Sequence, residues 1–390
     1  MAIEASKTNE STRRIRYGMV GGGQGAFIGG VHRIAARIDG EFEFVAGALS
    51  ASPGKAKASA AELGLDPARS YGSFEDMIKK EAKRKDGIDA VVIVTPNHMH
   101  FPPAAAALKA GFHVICDKPL AFSTKEAKTL VELVQKSGKV FALTHNYTGY
   151  PMMRQARAMI ADGMIGDVRV VQAEYAQGWL ATNIEATGQK QAAWRTDPKQ
   201  SGAGGAIGDI GTHAFNLACF VTQMVPEMVL ADLSTFVPGR QLDDNNAILL
   251  RYANGAKGMI WASQVAIGPE NGLKLRIYGS KGGLEWCQED PNYLYVTVDG
   301  QPTQRITRGG AGSGPAAGRV TRVPSGHPEG YLEGFATIYQ EAARAIRAVN
   351  AGATIPPDVI YPTVEDGLLG MQFVEAAIKS SGNGNKWVKI

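Results

Sequence analysis

The sequence predicts a doubly wound α/β domain followed by an α+β domain built on a large, mainly antiparallel open sheet. Three observations carry this. Strand-like and helix-like segments alternate six times before residue 147, the pattern of a parallel sheet covered by helices on both faces. The first strand runs straight into a glycine-rich turn, Gly21-Gly22-Gly23-Gln24-Gly25-Ala26. Beyond residue 228 strands follow one another without intervening helices, as in an antiparallel sheet.

Size and charge bound the rest. The chain has 390 residues, 44% hydrophobic and 20% charged, which suits two ordinary globular domains. Its net charge of +4, from 41 Lys+Arg against 37 Asp+Glu, is too balanced to argue for a nucleic-acid partner. Cys116, Cys219 and Cys287 are widely spaced and fit neither a disulfide framework nor a zinc knuckle, so a reducing compartment is expected. No apolar run is long enough to cross a bilayer, and the polar start MAIEASKTNESTRRIR lacks a signal-peptide core. The expectation is a cytoplasmic protein with no membrane partner. Residues 1–13 are expected to form a flexible leader, 14–147 the first domain and 148–390 the second.

In the first domain, strands are expected over 15–20, 42–48, 88–94, 112–116 and 140–144, with helices over 53–63, 74–85, 101–110 and 124–136. The run IDAVVIV at 88–94 is apolar on both faces, as a central parallel strand is. The glycine turn lets backbone N–H groups approach a pyrophosphate at the positive end of a helix. Gly21-x-Gly23-x-x-Ala26 satisfies the dinucleotide pattern, and so does a shifted reading that ends at Gly29 and loops through Gln24, Gly25, Ala26, Phe27 and Ile28. Together with the alternation, this points to a Rossmann dinucleotide fold. At the end of the second strand, Leu49-Ser50-Ala51-Ser52 with Lys55 beyond offers no carboxylate to repel a 2′-phosphate. The cofactor expectation is therefore NAD(P), leaning to NADP from Ser50 in place of an acid. Ser52-Pro53 as a plain helix start fits the same residues.

Two further strand ends carry chemistry. Thr95-Pro96-Asn97-His98-Met99-His100 follows the central strand. Its two histidines have no Cys or carboxylate close in sequence, so they read as cofactor-loop residues and no metal is expected. Gly111–Leu120, GFHVICDKPL, is a buried strand that delivers Asp117-Lys118-Pro119 at its carboxyl end, where open α/β sheets bind ligands. Lys118 there is a cation presented by rigid scaffold.

Taken together, the glycine turn, the TPNHxH stretch and the acid-Lys-Pro strand end resemble the glucose–fructose oxidoreductase / inositol dehydrogenase (Gfo/Idh/MocA) family. The resemblance implies a two-domain pyridine-nucleotide enzyme acting on sugars or cyclitols, with homodimers or homotetramers as the expected assembly. Gly29-Gly30-Val31-His32 matches the family's closure of the first motif, which makes the preceding loop about three residues longer than usual. Asp117 stands where the family more commonly has Glu. Thr95, Pro96, Asn97, His100, Asp117, Lys118 and Asn146 fall among its expected cofactor contacts.

In the second domain, a helix is expected over 151–161 and a strand over 168–175, then a polar insertion bearing Trp179, Trp194 and Arg195. The two tryptophans and the arginine are candidates for a sugar-binding wall, with core tryptophan as the competing reading; Trp194 and Arg195 are also cofactor candidates. Asp209 and His213 stand four apart at the head of an expected helix over 210–221, so both project from one face. A carboxylate beside an imidazole fixes its tautomer and raises its basicity; a helix-capping aspartate with a structural histidine fits the same spacing. Gly208-Asp209-Ile210-Gly211-Thr212-His213 resembles the stretch that supplies the family's catalytic pair. Tyr147, at the end of the last parallel strand, points to the same cleft. Strands are expected over 228–237, 247–252, 258–265, 273–278, 284–287 and 293–298, a mobile loop over 304–330, and helices over 331–349 and 364–380.

By this resemblance Lys118, Asp209 and His213 are the catalytic candidates. His213 would take the proton of a secondary hydroxyl as hydride leaves its carbon, Lys118 would stabilise that oxygen, and Asp209 would assist. Lys118, Tyr147, Trp179, Arg195, Asp209 and His213 would line the sugar or polyol site. The rivals are a redox-assisted glycoside hydrolase or lyase that retains NAD, whose relatives tend to lose this lysine, and a non-catalytic dinucleotide-binding sensor.

Overall fold

The computed structural model describes residues 13–390; the expected leader lies almost wholly outside them, and Arg13, at its end, pairs with Asp89. The first sheet has five parallel strands, β1 (Ile15–Gly21), β2 (Phe42–Ala48), β3 (Ala90–Val94), β4 (His113–Cys116) and β5 (Phe141–Leu143), in the order β2-β1-β3-β4-β5. Chain order reverses between β1 and β3, which makes the carboxyl end of β1 the switch point of the sheet. Every residue of β3, β4 and β5 is buried, as continuous apolar runs between two helix layers require. The helix expected over 74–85 stops at Glu81, whose carboxylate is drawn into a buried fork with Arg69 and a bond from the Tyr71 hydroxyl.

The second sheet has nine strands: β6 (Val168–Ala176), β7 (Pro226–Ser234), β8 (Asn245–Tyr252), β9 (Lys257–Ser263), β10 (Gly272–Gly279), β11 (Gly282–Cys287), β12 (Tyr293–Val298), β13 (Gln304–Thr307) and β14 (Val388–Lys389). They run β13-β12-β11-β10-β6-β9-β8-β7-β14, antiparallel except between β6 and β9. One face buries its alternate residues under the helices Pro151–Ala161, Thr212–Thr222 and Val364–Gly382. The other leaves Leu249, Met259 and Trp261 exposed.

The C-terminal helices join the two halves. Phe335, Ile338, Tyr339 and Ile346 of the helix Tyr331–Asn350 share a core with Tyr17, Met19, Val92 and Ile115 of the first sheet. Phe373 of the last helix stacks on Phe215 with centroids 4.1 Å apart. The segment 304–330 is not the mobile loop its composition suggests. Its first residues add β13 to the sheet edge, and Arg308 is buried with its guanidinium spent on Asn292 Oδ1, Glu329 Oε1 and the carbonyls of Val323, Pro324 and His327. Arg322 forks onto Asp39 in the first domain. Side-chain bonds to main-chain carbonyls hold this strap, and such bonds leave no period in a sequence.

His113 couples β4 to its surroundings in a defined protonation state. Val140 N donates to its Nδ1 at 3.0 Å, so the ring hydrogen sits on Nε2 and donates to Asn350 Oδ1 at 3.0 Å. Burial, the largest influence, pushes the imidazole from 6.5 down to about 4. The unfolded chain therefore binds this proton first. The contribution to stability is complete above the unfolded value and is lost as pH falls from 6.5 towards 4, up to about 3 kcal/mol. Urea unfolding at about pH 7 and about pH 4.5 should show that the stability difference between the two shrinks by roughly 2 kcal/mol in His113→Leu; an identical difference in both proteins contradicts the assignment.

Candidate active site

The site forms where the carboxyl ends of β1, β3, β4 and β5 meet the helix Thr212–Thr222 and the end of β9. At β1 the turn is shaped by close approach. Gly21 and Gly22 have φ of 81° and 73°, conformations that glycine adopts freely. A Cβ on Gly29 would stand 2.4 Å from Gly22 Cα, and one on Gly23 would stand 2.6 Å from Leu49 O. The helix Phe27–Ile38 is thus pressed onto the turn at Gly29, which selects the shifted reading of the motif over the one ending at Ala26. Ala26 supplies no side-chain cap and the first turn holds no acid. Its N–H groups are left for an anion, as a pyrophosphate-binding helix requires.

Around this cradle, Gln24 N donates to Ser59 Oγ and its amide to Glu62. Gly25 also has positive φ, Phe27 is 69% exposed, and Ile28 packs against the first core. Ser50 Oγ accepts from Ser52 N, and Lys55 is exposed. Thr95 Oγ1 bonds Met99 O, next to Pro96, while Asn97 crosses the cleft to Ser201 O at 2.9 Å. Asn146, at the end of β5, is buried with its Nδ2 unpartnered. An uncapped helix start, a glycine cradle and an orphaned donor fit a dinucleotide.

His100 is a correction. It is buried with Nδ1 2.6 Å from Pro119 O and Nε2 2.8 Å from Thr95 O, so it ties the ends of β3 and β4 together and has no polar atom left for a cofactor. Burial lowers its pKa, whereas two carbonyl neighbours favour hydrogens on both nitrogens; the geometry, with Asp117 close by, weighs towards the imidazolium. Asp117 accepts from Lys118 N and Thr144 Oγ1. Burial alone would raise this carboxyl, but His32, Lys118 and His100 bring it down to about 2. His32, the end of the glycine motif, is buried, bonds the Tyr339 hydroxyl at 2.8 Å and stands 3.8 Å from Asp117.

The centre is Asp209. Lys118 Nζ donates to its Oδ1 at 2.7 Å and to its main-chain oxygen at 2.6 Å. Arg195 Nε and Gln264 Nε2 donate to Oδ2 at 3.1 and 2.9 Å. Burial opposes this charge, but Lys118 and Arg195 outweigh it and hold the carboxyl far below 3.8. Arg195 lies 4.3 Å over the Trp194 ring and 5.8 Å from Trp179, while Trp179 Nε1 bonds Gln177.

Asp209 and His213 are not the hydrogen-bonded pair that their spacing suggests. Residues Ile207–Gly211 form one turn of π-helix before the α-helix begins at Thr212, and this wider turn undoes the i,i+4 relation. Asp209 is not a cap either: it lies inside the π-turn and its oxygens accept from Lys118, Arg195 and Gln264, while Asp243 takes Gly205 N and Ile207 N at 2.6 and 2.8 Å. His213 instead sets its Nδ1 3.5 Å from His145 Nδ1 and packs edge-on against Tyr147 at 4.9 Å. Burial, the largest influence, and Lys118 push both imidazoles down, His145 to about 3 and His213 well below 6.5. Tyr147 offers a ring rather than a hydroxyl, which is engaged by Tyr175 at 2.6 Å and by Asn271. Gln264, Asp243 and Asn271 were not legible as site residues: each lies at a strand end or strand connection with no motif around it.

The cradle makes a prediction about two adjacent glycines. Gly29→Ala should weaken dinucleotide binding more than about tenfold in a calorimetric titration, because the new Cβ pushes the helix off the turn. Gly30→Ala, whose Cβ would meet nothing within 4 Å, should bind as the parent does. Equal affinity for both variants would refute this assignment of Gly29.

Known proteins share this two-domain fold. Residues 15–145 match the model of the oxidoreductase family with an NAD-binding Rossmann fold, and residues 153–285 match the GFO/IDH/MocA C-terminal domain. An oxidoreductase from Sinorhizobium meliloti is 56% identical, with a TM-score of 0.89, over 97% of this chain and 100% of that one. An inositol dehydrogenase homolog from Azotobacter vinelandii, solved with NADH and myo-inositol, is 37% identical with a TM-score of 0.91, over 97% and 98% of the two chains. A levoglucosan dehydrogenase of Pseudarthrobacter phenanthrenivorans is 28% identical over 97% of this chain and 98% of its own. The chain belongs to the Gfo/Idh/MocA family and is an NAD(P)-dependent oxidoreductase.

Proposed function

We propose that the protein is a dehydrogenase of a secondary hydroxyl on an uncharged sugar, sugar derivative or cyclitol. The observation that carries this is the meeting of Lys118, from the strand end of the first domain, with Asp209, one π-turn ahead of His213, from the second. Lys118 has three N–H donors and spends two on Asp209; the third is free for a substrate oxygen. Both cations at the site, Lys118 and Arg195, pair with the Asp209 carboxylate, so neither stands unpaired to select a phosphorylated ring over a neutral one. The cyclitol and anhydrosugar substrates in the names of the relatives belong to that class.

A bound nicotinamide supplies the hydride acceptor. The chain's own residues handle the proton and the oxygen. His213 accepts the hydroxyl proton at Nε2, and Lys118 donates to the same oxygen as negative charge grows there, a preorganised electrostatic contribution. Asp209 keeps Lys118 in place and balances its charge. Because burial and Lys118 depress the His213 pKa, the imidazole is in its neutral, proton-accepting form at neutral pH. The acid limb for oxidation should therefore fall below 6.5.

For the cofactor, the end of β2 presents Ser50 and an exposed Lys55 with no acid, which leans to NADP; the inositol dehydrogenase homolog holds NADH. Nicotinamide reduction should be measured with inositols, aldoses and anhydrosugars, each with NAD and with NADP. Turnover is expected with at least one neutral polyol, with kcat/KM for NADP no worse than for NAD. Lys118→Met should lower kcat by about 10²–10³-fold while cofactor affinity stays within a few-fold. Unchanged turnover in Lys118→Met, or reduction only with charged substrates, would count against the proposal.

A further inference from the structure

Two imidazoles meet beside the Lys118–Asp209 pair, and the reaction proposed above uses one of them. His145 follows β5, His213 lies in the first turn of the helix Thr212–Thr222, and both are buried, 3% and 7% exposed. Their Nδ1 atoms are 3.5 Å apart, with ring planes at 87°. That contact is attractive only if one of the two nitrogens carries a hydrogen and the other a lone pair. Catalytic hydrogen bonds in apo structures are often of this length.

A base that takes a proton at Nε2 must hold its own hydrogen on Nδ1, and something must keep it there. Asp209 does not: its oxygens are occupied by Lys118, Arg195 and Gln264. The atom at His213 Nδ1 is His145 Nδ1. We propose that His145 is a positioning residue that fixes the tautomer of His213. His213 Nδ1–H donates to the bare Nδ1 of His145, whose own hydrogen is on Nε2, and His213 Nε2 is left free to take the substrate proton.

No bond is made or broken at His145. When the hydroxyl proton arrives at His213 Nε2, the imidazolium keeps its Nδ1–H directed at the same lone pair. The role requires a neutral His145, because a hydrogen on its Nδ1 would oppose that of His213. The charged and titratable groups acting on His145 are Lys118 and Asp117 from the end of β4 and His213 from the helix; Lys118 disfavours a second positive charge, and Asp117 opposes it. The proposal rests on His213 being the proton acceptor.

Two measurements test it. Nitrogen-15 spectra of the histidine-labelled protein near pH 7, with the His213 signals assigned by their loss in His213→Ala, should show hydrogen on Nδ1 and none on Nε2. In His145→Leu the two tautomers should mix. In kinetics with the polyol turned over fastest in the panel above, His145→Leu should lower kcat by at least about tenfold with cofactor affinity unchanged. His145→Gln, whose amide oxygen can accept the same hydrogen bond, should recover most of that loss, and in the His213→Ala background His145→Leu should add almost nothing. A hydrogen on His213 Nε2 in the parent, a folded His145→Leu with full kcat, a Gln variant no better than Leu, or effects that multiply would each overturn the proposal. Full activity in His213→Ala would show instead that the proton-acceptor reading itself is wrong, and the tautomer role with it.

Discussion

The contact between Lys118 and Asp209 is the constraint on which the rest of the site depends. A carboxylate this buried is unstable as an anion unless its charge is balanced and its lone pairs are filled. Asp209 achieves both through two cations and an amide, drawn from the end of β4, the tryptophan-bearing insertion and the end of β9. Removing any one donor leaves a buried carboxylate lone pair unfilled, so three distant pieces of chain are held in register by one side chain. The pair also bridges the domains, since Lys118 belongs to the parallel sheet and Asp209 to the helix layer of the open sheet.

Everything around that pair sets its position more than its chemistry. His100 joins the ends of β3 and β4 through two carbonyls, and His32 fills the space between Asp117 and Tyr339. Asp243 takes the N–H groups of Gly205 and Ile207, setting where the π-turn begins. The rings of Tyr147 and Tyr175 lie edge-on to His213, and their hydroxyls are tied to each other and to Asn271. Beyond the site, the strap pinned by Arg308 and Arg322 and the helix Tyr331–Asn350 bring the chain back against the first domain. The two domains are therefore tied together at more than one point.

Much of this was written where the sequence has a period or a motif. Continuous apolar runs marked β3 to β5, the glycine turn marked the dinucleotide cradle, and the acid-Lys-Pro strand end marked Lys118. Where side chains bond to distant main chain, the sequence was silent or misleading. The strap at 304–330 looked unstructured because its order comes from Arg308 and carbonyl oxygens. Asp209 and His213 looked like partners because i,i+4 spacing presumes an α-helix, and the π-turn between them changes which neighbours each one meets. Gln264 carries no motif at all; only the folded chain brings it to Asp209. His145 stood beside a recognised segment, but its nearness to His213 is a tertiary fact.

The most direct test of the central claim is a crystal structure of the ternary complex with cofactor and the neutral polyol turned over fastest. The account predicts the carbinol oxygen within about 3.2 Å of both Lys118 Nζ and His213 Nε2, with Asp209 still bound to Lys118. A polyol whose oxidised carbon lies away from both groups, with the pair facing a position that does not react, would contradict it.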